Sequence, residues 1–421
     1  MIRAFKKNAA MPEKVNFLLK KGVRMTAPFS VEIGEEVDLK RIDGSLIIYG
    51  AARIYGDTTL ISPGVKLGYE APVTLINCQL GKEVELKGGY FAESVFLDKA
   101  KMGSNAQIRA GCLLEEESGG NHTVGLKQTI LLPFVTLGSL INFCDCLMAG
   151  GTSRKNHSEV GSSYIHFNYT PQQDKATPSL IGDVPRGVML REAPIFLGGQ
   201  GAITGPAQIA YGTVISAGII CRQDCLTRGM LWSSPDNYSR PKKFIPGVYG
   251  DISRKVNSNI VYIANLLALR QWYRFVRRDF FCQNKYGSAL FDGACNVLDE
   301  AIAERIRQMQ LFAQNLEKSM INAKKIFSAS VSKKQQRFVQ NWPRMEEHLS
   351  GNHEEKISYK KKEAFIKIIQ RQSDKVGSYL DVIRSLTPQQ AQKGTGWLND
   401  IVEKTTAECL NASRALQQKD K

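Results

Sequence analysis

The sequence predicts a mainly β protein, a parallel β-helix built on a six-residue repeat, followed by an α-helical C-terminal domain. Three observations carry this. Leu197, Ile203, Ile209, Ile215 and Cys221 recur at every sixth residue, a spacing that neither a helix (three and four) nor a half-buried strand (two) produces. Thirty of the 36 glycines precede residue 251, so tight turns are concentrated in the first part of the chain. Beyond it, apolar residues recur at three- and four-residue steps. The divisions expected are an N-terminal segment over 1–22, the β-helix over 23–250 and a basic helical domain over 251–421.

In a three-sided coil each flat side contributes one inward aliphatic, and a small residue after it lets the chain turn. Gly198, Thr204, Ala210 and Ser216 stand at those positions. Weaker copies occur at Ile33-Gly34, Leu67-Gly68, Leu80-Gly81 with Leu86, and Met102-Gly103 with Ile108. An antiparallel sandwich also alternates apolar and polar residues. It gives four successive intervals of six only with difficulty, and Asn-Gly hairpin turns are absent.

In the C-terminal part, Asn259 to Phe281 reads as a helix packed on several faces. Residues 296–328, with Leu298, Ile302, Ile306, Met309, Leu316, Met320, Ala323 and Phe327, read as a long amphipathic helix. A break is expected at Pro343, with helical patterns again over 355–385 and 397–416, for four or five helices in all. Such a domain can cap the last coil, whose unpaired edge would otherwise invite association.

The 421 residues carry a formal charge of +16, most of it after residue 250. Arg270, Trp272, Tyr273, Arg274, Arg277 and Arg278 interleave base and aromatic as a nucleic-acid surface does. No recognised motif accompanies them, and a helix with its aromatics turned inward is the favoured reading. Nine scattered cysteines point to a reducing compartment. Cys144-x-Cys146 and Cys221-x3-Cys225 lack a histidine at ligand spacing, so no metal is expected. The N-terminus has no signal-peptide core, and no segment reaches a membrane-spanning length, which implies a cytoplasmic protein.

The stretch His157–Asp183 gathers two of the five histidines with several polar groups. His166 alternates with Tyr164, which places it outward, and His122 in GGNHTVG reads as a turn residue. Asn142-Phe143, Arg154-Lys155-Asn156-His157, Gly161, Asn168-Tyr169, Lys175, Ile181-Gly182-Asp183 and the run 194–222 follow one another in an order that resembles the acetyltransferase domain of the bifunctional N-acetylglucosamine-1-phosphate uridyltransferase/glucosamine-1-phosphate acetyltransferase. The likeness covers about 90 residues. It implies a left-handed β-helix, a homotrimer, and acetyl-CoA as co-substrate acting on an amino-sugar phosphate or UDP-sugar. By the same resemblance His157 is the general base, and Asn168 and Tyr169 line the acyl-CoA and sugar pocket; a backbone N–H or the Asn168 amide can stabilise the developing oxyanion. Arg154, Lys155 and Lys175 match the sugar-phosphate end. Gly199 and Ala217 match small residues beside the cofactor arm.

The chain departs from that family in three places. About two hexapeptides are missing between the histidine and the Asn-Tyr pair, and Val160 stands where the family has a tyrosine, a contact Tyr164 could supply. An insertion, 184–193, is expected to form a loop beside the pocket, with Arg186 or Arg191 within reach of an anion. The nucleotidyltransferase half has no counterpart. Two functions of different class follow: an acetyltransferase, and a non-catalytic trimeric scaffold or sugar-nucleotide module.

Overall fold

A computed structural model of the chain describes residues 10–166, 172, 174–233, 245–283, 285–322, 329–351 and 356–412. After helix α1 (Glu13–Lys21), the chain winds into a parallel β-solenoid of about eleven coils, matching the expected left-handed β-helix. The first face is an 11-stranded parallel sheet running from Arg24–Met25 to Leu231–Trp232. The other two faces share one 16-stranded sheet, because the eight-residue strands Val124–Leu131 and Ile141–Met148 continue round the corner between them.

The register explains why the sequence repeats. On the first face Leu67, Leu86, Met102, Gly120, Leu137, Val160, Leu197 and Ile215 stack in one inward column. Their neighbours Lys66, Glu85, Lys101, Gly119, Thr136, Glu159, Phe196 and Val214 form the outward one. The five hexad residues Leu197 to Cys221 are each at most 2% exposed. Burying a side chain of this size contributes about 1.5–3 kcal/mol, so one inward residue on each side is enough to hold a coil.

Small residues at the turns are required at the first corner. A Cβ on Gly161 would lie 2.5 Å from Gly199 N, and one on Gly198 would lie 2.3 Å from Ala217 N. The third corner is built differently: Glu83, Lys99, Glu117 and Phe134 take φ between 57° and 74° there. Non-glycine residues in that region cost about 1 kcal/mol or more each, which the stacked coils on either side offset.

The C-terminal part is helical: α3 (Ser253–Trp272), α4 (Arg278–Phe281), α5 (Gly287–Asn322), α6 (Ala329–Ser350), α7 (Tyr359–Ser373), α8 (Tyr379–Ser385) and α9 (Pro388–Ala412). The short α2 (Val184–Gly187) lies within the solenoid. A π-helical segment, Tyr273–Arg277, joins α3 to α4 and breaks the expected helix 259–281 into three pieces. The expected break at Pro343 does not occur, since α6 runs through it. Phe338, Trp342, Met345 and Leu349 on its buried face outweigh the ~3 kcal/mol a helical proline costs.

These helices do more than cap an end. They lie along the third face: α5 packs on the strands Gln79–Leu80, Ser94–Phe96 and Cys112–Leu114, and α3 packs on Ser179–Ile181. Trp272, Tyr273, Arg277 and Arg270 are all buried. Tyr273 and Arg277 reach Glu115 and Glu116 of the solenoid, Trp272 packs among the helices against Tyr379 and Phe365, and Arg278 is exposed, so the aromatics turn inward as expected. Among the described residues no helix is long and apolar enough to cross a membrane.

Candidate functional site

His157 sits where the solenoid breaks its own rhythm. After Met148 the chain reaches the third corner, where a Cβ on Gly150 would meet Pro133 O at 1.6 Å, so only glycine passes the coil beneath. Gly151, at φ 91°, then starts an excursion. Gly151–Ser153 and Asn156–His157 pair antiparallel, and Asn156 Nδ2 donates to Thr152 Oγ1 at 2.9 Å. The chain rejoins the coil at Ser158, whose N–H donates to Gly150 O at 2.9 Å and whose hydroxyl accepts from Ile195 N at 2.9 Å. His157 is thus the last residue of a small hairpin with an anchored base.

Its ring is half-buried, and Nδ1 lies 2.8 Å from the carbonyl of Arg154. A carbonyl oxygen only accepts, so Nδ1 carries a proton, and of the two neutral tautomers this contact selects the one whose Nε2 has the lone pair. That is the tautomer a general base needs. The Arg154 side chain turns back along the coils: Nη1 donates to Glu117 O (3.0 Å), Phe134 O (3.2 Å) and Thr136 Oγ1 (2.8 Å). It thereby borders a hollow of about 370 Å³ on the outer first face. Lys155 is exposed at the hairpin tip.

The other expected site residues lie elsewhere. Tyr164 is exposed on the second face, in register with Asn142 and Ala202. The backbone of His166 pairs with Thr204. Asn168 and Tyr169 lie outside the described residues. Gly199 and Ala217 stand at the first corner. A Cβ on Gly199 would meet Ser162 N at 3.6 Å, an ordinary contact, so this chain alone does not demand glycine there, and Ala217 is exposed. Lys175 belongs to the second corner, where its carbonyl accepts from Arg305 Nη1 at 3.0 Å. The strand pairs Cys146 with Ser179 and Met148 with Ile181 put that corner at one end of the third face and His157 at the other. Within one chain, His157 and Arg154 touch, while Lys175 does not join them. His122, as expected of a turn residue, is exposed; its ring lies 3.3 Å from the Thr123 hydroxyl and its carbonyl accepts from Leu140 N.

The insertion 184–193 differs from expectation. Asp183 caps α2 by accepting from Arg186 N at 3.0 Å and also pairs with the Arg186 guanidinium. Asn265 accepts from Val184 N at 2.9 Å, Val188, Met189 and Leu190 are buried, and Arg191 donates to the carbonyls of Arg384 and Leu386. The segment faces the helices, not an open pocket. Its run of apolar residues (Val184, Val188, Met189, Leu190) is the signal that a buried role was possible.

Sequence reasoning missed the charged groups that join the two parts. Arg305 on α5 pairs with Asp145 of the solenoid at 2.9 Å, both side chains at most 3% exposed. Burial pushes the Asp145 carboxyl up to about 6 although Arg305 opposes it. Arg277 lies against Glu116 and, at 3.6 Å, Glu115, with its guanidinium 4.0 Å from the Tyr379 ring centroid. Burial pushes Glu115 up to about 7. Such pairs between residues 160 positions apart leave no mark in a single sequence. Among the described residues, no three His, Cys, Asp or Glu side chains converge as metal ligands would.

No protein-family model matches the chain. Among curated proteins, the bifunctional protein GlmU of Thermotoga sp. (strain RQ2) is 23% identical over 217 residues, covering 50% of this chain and 42% of GlmU. The bifunctional protein GlmU of Thermotoga maritima (strain ATCC 43589) matches with the same figures. The chain therefore spans less than half the length of these relatives. Among solved structures, LpxA from Acinetobacter baumannii is 15% identical, covering 46% of this chain and 67% of its own, with a TM-score of 0.17. A UDP-N-acetylglucosamine acyltransferase is 19% identical with the same coverage and a TM-score of 0.16. The hexads, the parallel solenoid they build and the matched relatives together fit a hexapeptide-repeat β-helix similar to part of GlmU.

Proposed function

We propose that the chain is an acyltransferase of nucleotide-sugar metabolism, using acetyl-CoA to acetylate an amino-sugar phosphate or nucleotide-linked amino sugar. The observation that carries this is the 2.8 Å contact between His157 Nδ1 and the Arg154 carbonyl, which fixes the tautomer and leaves Nε2 to act as base. As the amine attacks the thioester carbonyl, Nε2 takes its proton. The tetrahedral oxyanion collapses, the C–S bond breaks, and the proton passes to the departing CoA thiolate. Asn168 is assigned as oxyanion donor, and Tyr169, Gly199 and Ala217 as the acyl-CoA wall. Arg154, Lys155 and Tyr164 are assigned to the acceptor. Lys175 lies across the third face from His157, so it joins the site from a second copy, in a cytoplasmic homotrimer of chains divided at about 22 and 250.

The test is release of free thiol from acetyl-CoA with a panel of hexosamine phosphates and UDP-linked amino sugars, against a His157→Ala control. Equal release by both proteins refutes the catalytic role.

The separation of Lys175 from His157 within one chain favours a second reading, a non-catalytic trimeric scaffold or sugar-nucleotide module. Calorimetric titration separates the two. A UDP-sugar that binds while acetyl-CoA does not supports the module.

A further inference from the structure

A cavity of about 430 Å³ lies between the solenoid and the helices, across the third corner from the hollow beside Arg154. Its solenoid wall is the end of the third face, where Ser62, Gly81 and Leu97 follow one another on successive coils and Pro63, Lys82 and Asp98 stand one residue later. Its outer wall is formed by Phe280 of α4, Leu290 of α5 and Lys285 in the turn between them. Two contacts hold that wall against the coils: Tyr286 donates its hydroxyl to Asp43 Oδ2 at 3.3 Å, and Arg277 pairs with Glu116. A Cβ on Gly81 would lie 2.8 Å from Asp98 N, so only glycine passes beneath Asp98, and the middle of the wall carries no side chain. The space is within the range of small-molecule sites, about 300–1,000 Å³.

Three acids and three cations line it, and most of them satisfy one another. Both Glu116 oxygens accept from Arg277, and Asp43 accepts from Ser45 N (2.9 Å), Ser45 Oγ (2.6 Å) and Tyr286. Asp98 differs. Lys82 N donates to its Oδ1 at 2.8 Å, but among the described residues it forms no ion pair, and its other oxygen has no donor. Burial pushes its carboxyl up, against that N–H bond and the charges of Lys82 and Arg277. Ser62 is 3% exposed, and its hydroxyl has no hydrogen-bond partner among the described residues. The Lys285 ammonium meets only Tyr286, donating to its hydroxyl at 3.2 Å.

The unmet groups are thus a carboxylate oxygen, a hydroxyl and an ammonium, set beside an apolar wall of Leu97, Phe280 and Leu290. With acids and cations in equal number, a ligand of either net charge meets as much repulsion as attraction. A zwitterion meets attraction at both ends. Lys82 and Asp98 stand on neighbouring coils, ~4.8 Å apart along the solenoid, and the ammonium and carboxylate of an α-amino acid branch from a single carbon, so one such molecule can address both.

We infer that this cavity binds a free α-amino acid with a large apolar side chain, its ammonium on Asp98, its carboxylate toward the lysines and its side chain against Phe280 and Leu290. None of these residues belongs to the proposed acyl transfer, so the inference stands apart from that reading. A molecule held there touches solenoid and helices at once, and it stabilises their docking by mass action.

The experiment is calorimetric titration of the full chain with L-phenylalanine and L-leucine, beside glycine and the analogues that lack one charged group. These are 3-phenylpropionate and 2-phenylethylamine for phenylalanine, and 4-methylpentanoate and 3-methylbutylamine for leucine. The proteins are wild type and Asp98→Asn, with circular dichroism to confirm folding. Asparagine keeps an oxygen for Lys82 N and removes only the charge. The expected result is that phenylalanine or leucine binds the wild type, that glycine and both analogues of the binder bind at least tenfold more weakly, and that Asp98→Asn weakens the amino acid at least tenfold. No binding of either amino acid to the wild type, a smaller loss in Asp98→Asn, or an analogue that binds within tenfold of the amino acid overturns the inference. The analogue comparison uses the wild type alone, so it decides the matter even where Asp98→Asn does not fold.

Discussion

Tyr273 of the helical region donates its hydroxyl to Glu115 of the solenoid at 2.6 Å, and both residues are buried to within 1% of completely. Burial is the dominant influence on Glu115. It lifts the carboxyl from 4.5 to about 7, against the pull of Arg277. A carboxyl raised on folding keeps its proton where the unfolded chain has already released one, so its contribution to stability falls as pH rises from about 4.5 to about 7. The upper figure for this loss is about 3 kcal/mol. Urea denaturation at pH 5, 6 and 7.5 should show wild-type stability falling across this range and a flatter profile for Glu115→Gln. Identical pH dependence in both proteins would count against a buried, titrating Glu115.

The Asp145–Arg305 pair makes a different prediction. Removing one member of a buried pair leaves the other charge uncompensated, at a cost of about 3–5 kcal/mol. Arg305→Ala should lower the denaturation midpoint by that order at pH 7.5, and by less near pH 5. There Asp145, held at about 6, takes up a proton and needs no partner. A loss independent of pH would mean that packing of the arginine stem carries the effect.

Replacing His157 tests the chemistry. Among the described residues its ring hydrogen-bonds only the nearby Arg154 carbonyl, so His157→Ala should leave the melting temperature within a degree or two. General-base catalysis is worth about 10²- to 10⁴-fold. A fall of that size in kcat with little change in KM is expected, and a loss of fold instead would reassign the residue to structure.

The hexads predict a uniform mechanical cost. Ile215 is fully buried in the inward column, and Ile215→Ala should cost about 2–5 kcal/mol. Its outward neighbour Val214, 38% exposed, should tolerate Val214→Thr to within about 0.5 kcal/mol. Comparable losses at both positions would contradict the two-sided register.

How much of this could be read in the chain follows from the range over which each feature acts. The solenoid was legible because a coil repeats the same local demand, as Leu197 to Cys221 do, and every repeat adds to the signal. Helices over 253–412 were legible as periodicity, but their ends were not. Pro343 sits inside α6 because Trp342 and Met345 are buried against neighbouring helices, a condition set by tertiary contact. The place of Arg154 was half legible. Its position before His157 is local, whereas its reach to Glu117 and Thr136 depends on how coils stack. Which face the helices cover was not legible at all, since it rests on Arg305 meeting Asp145 and Arg277 meeting Glu116.

That covered face changes what kind of object the solenoid is. Stacked coils touch only their immediate neighbours, and such arrays can melt one repeat at a time. Here Gly293 of α5 lies against Gln79, and twelve residues later Arg305 reaches Asp145, four strand-steps further along. Twelve helical residues rise roughly 18 Å, and four coils at ~4.8 Å rise nearly the same. The helix keeps pace with the coils it crosses, like a splint laid along a spring. Coils that would otherwise fray separately are made to hold or fail together.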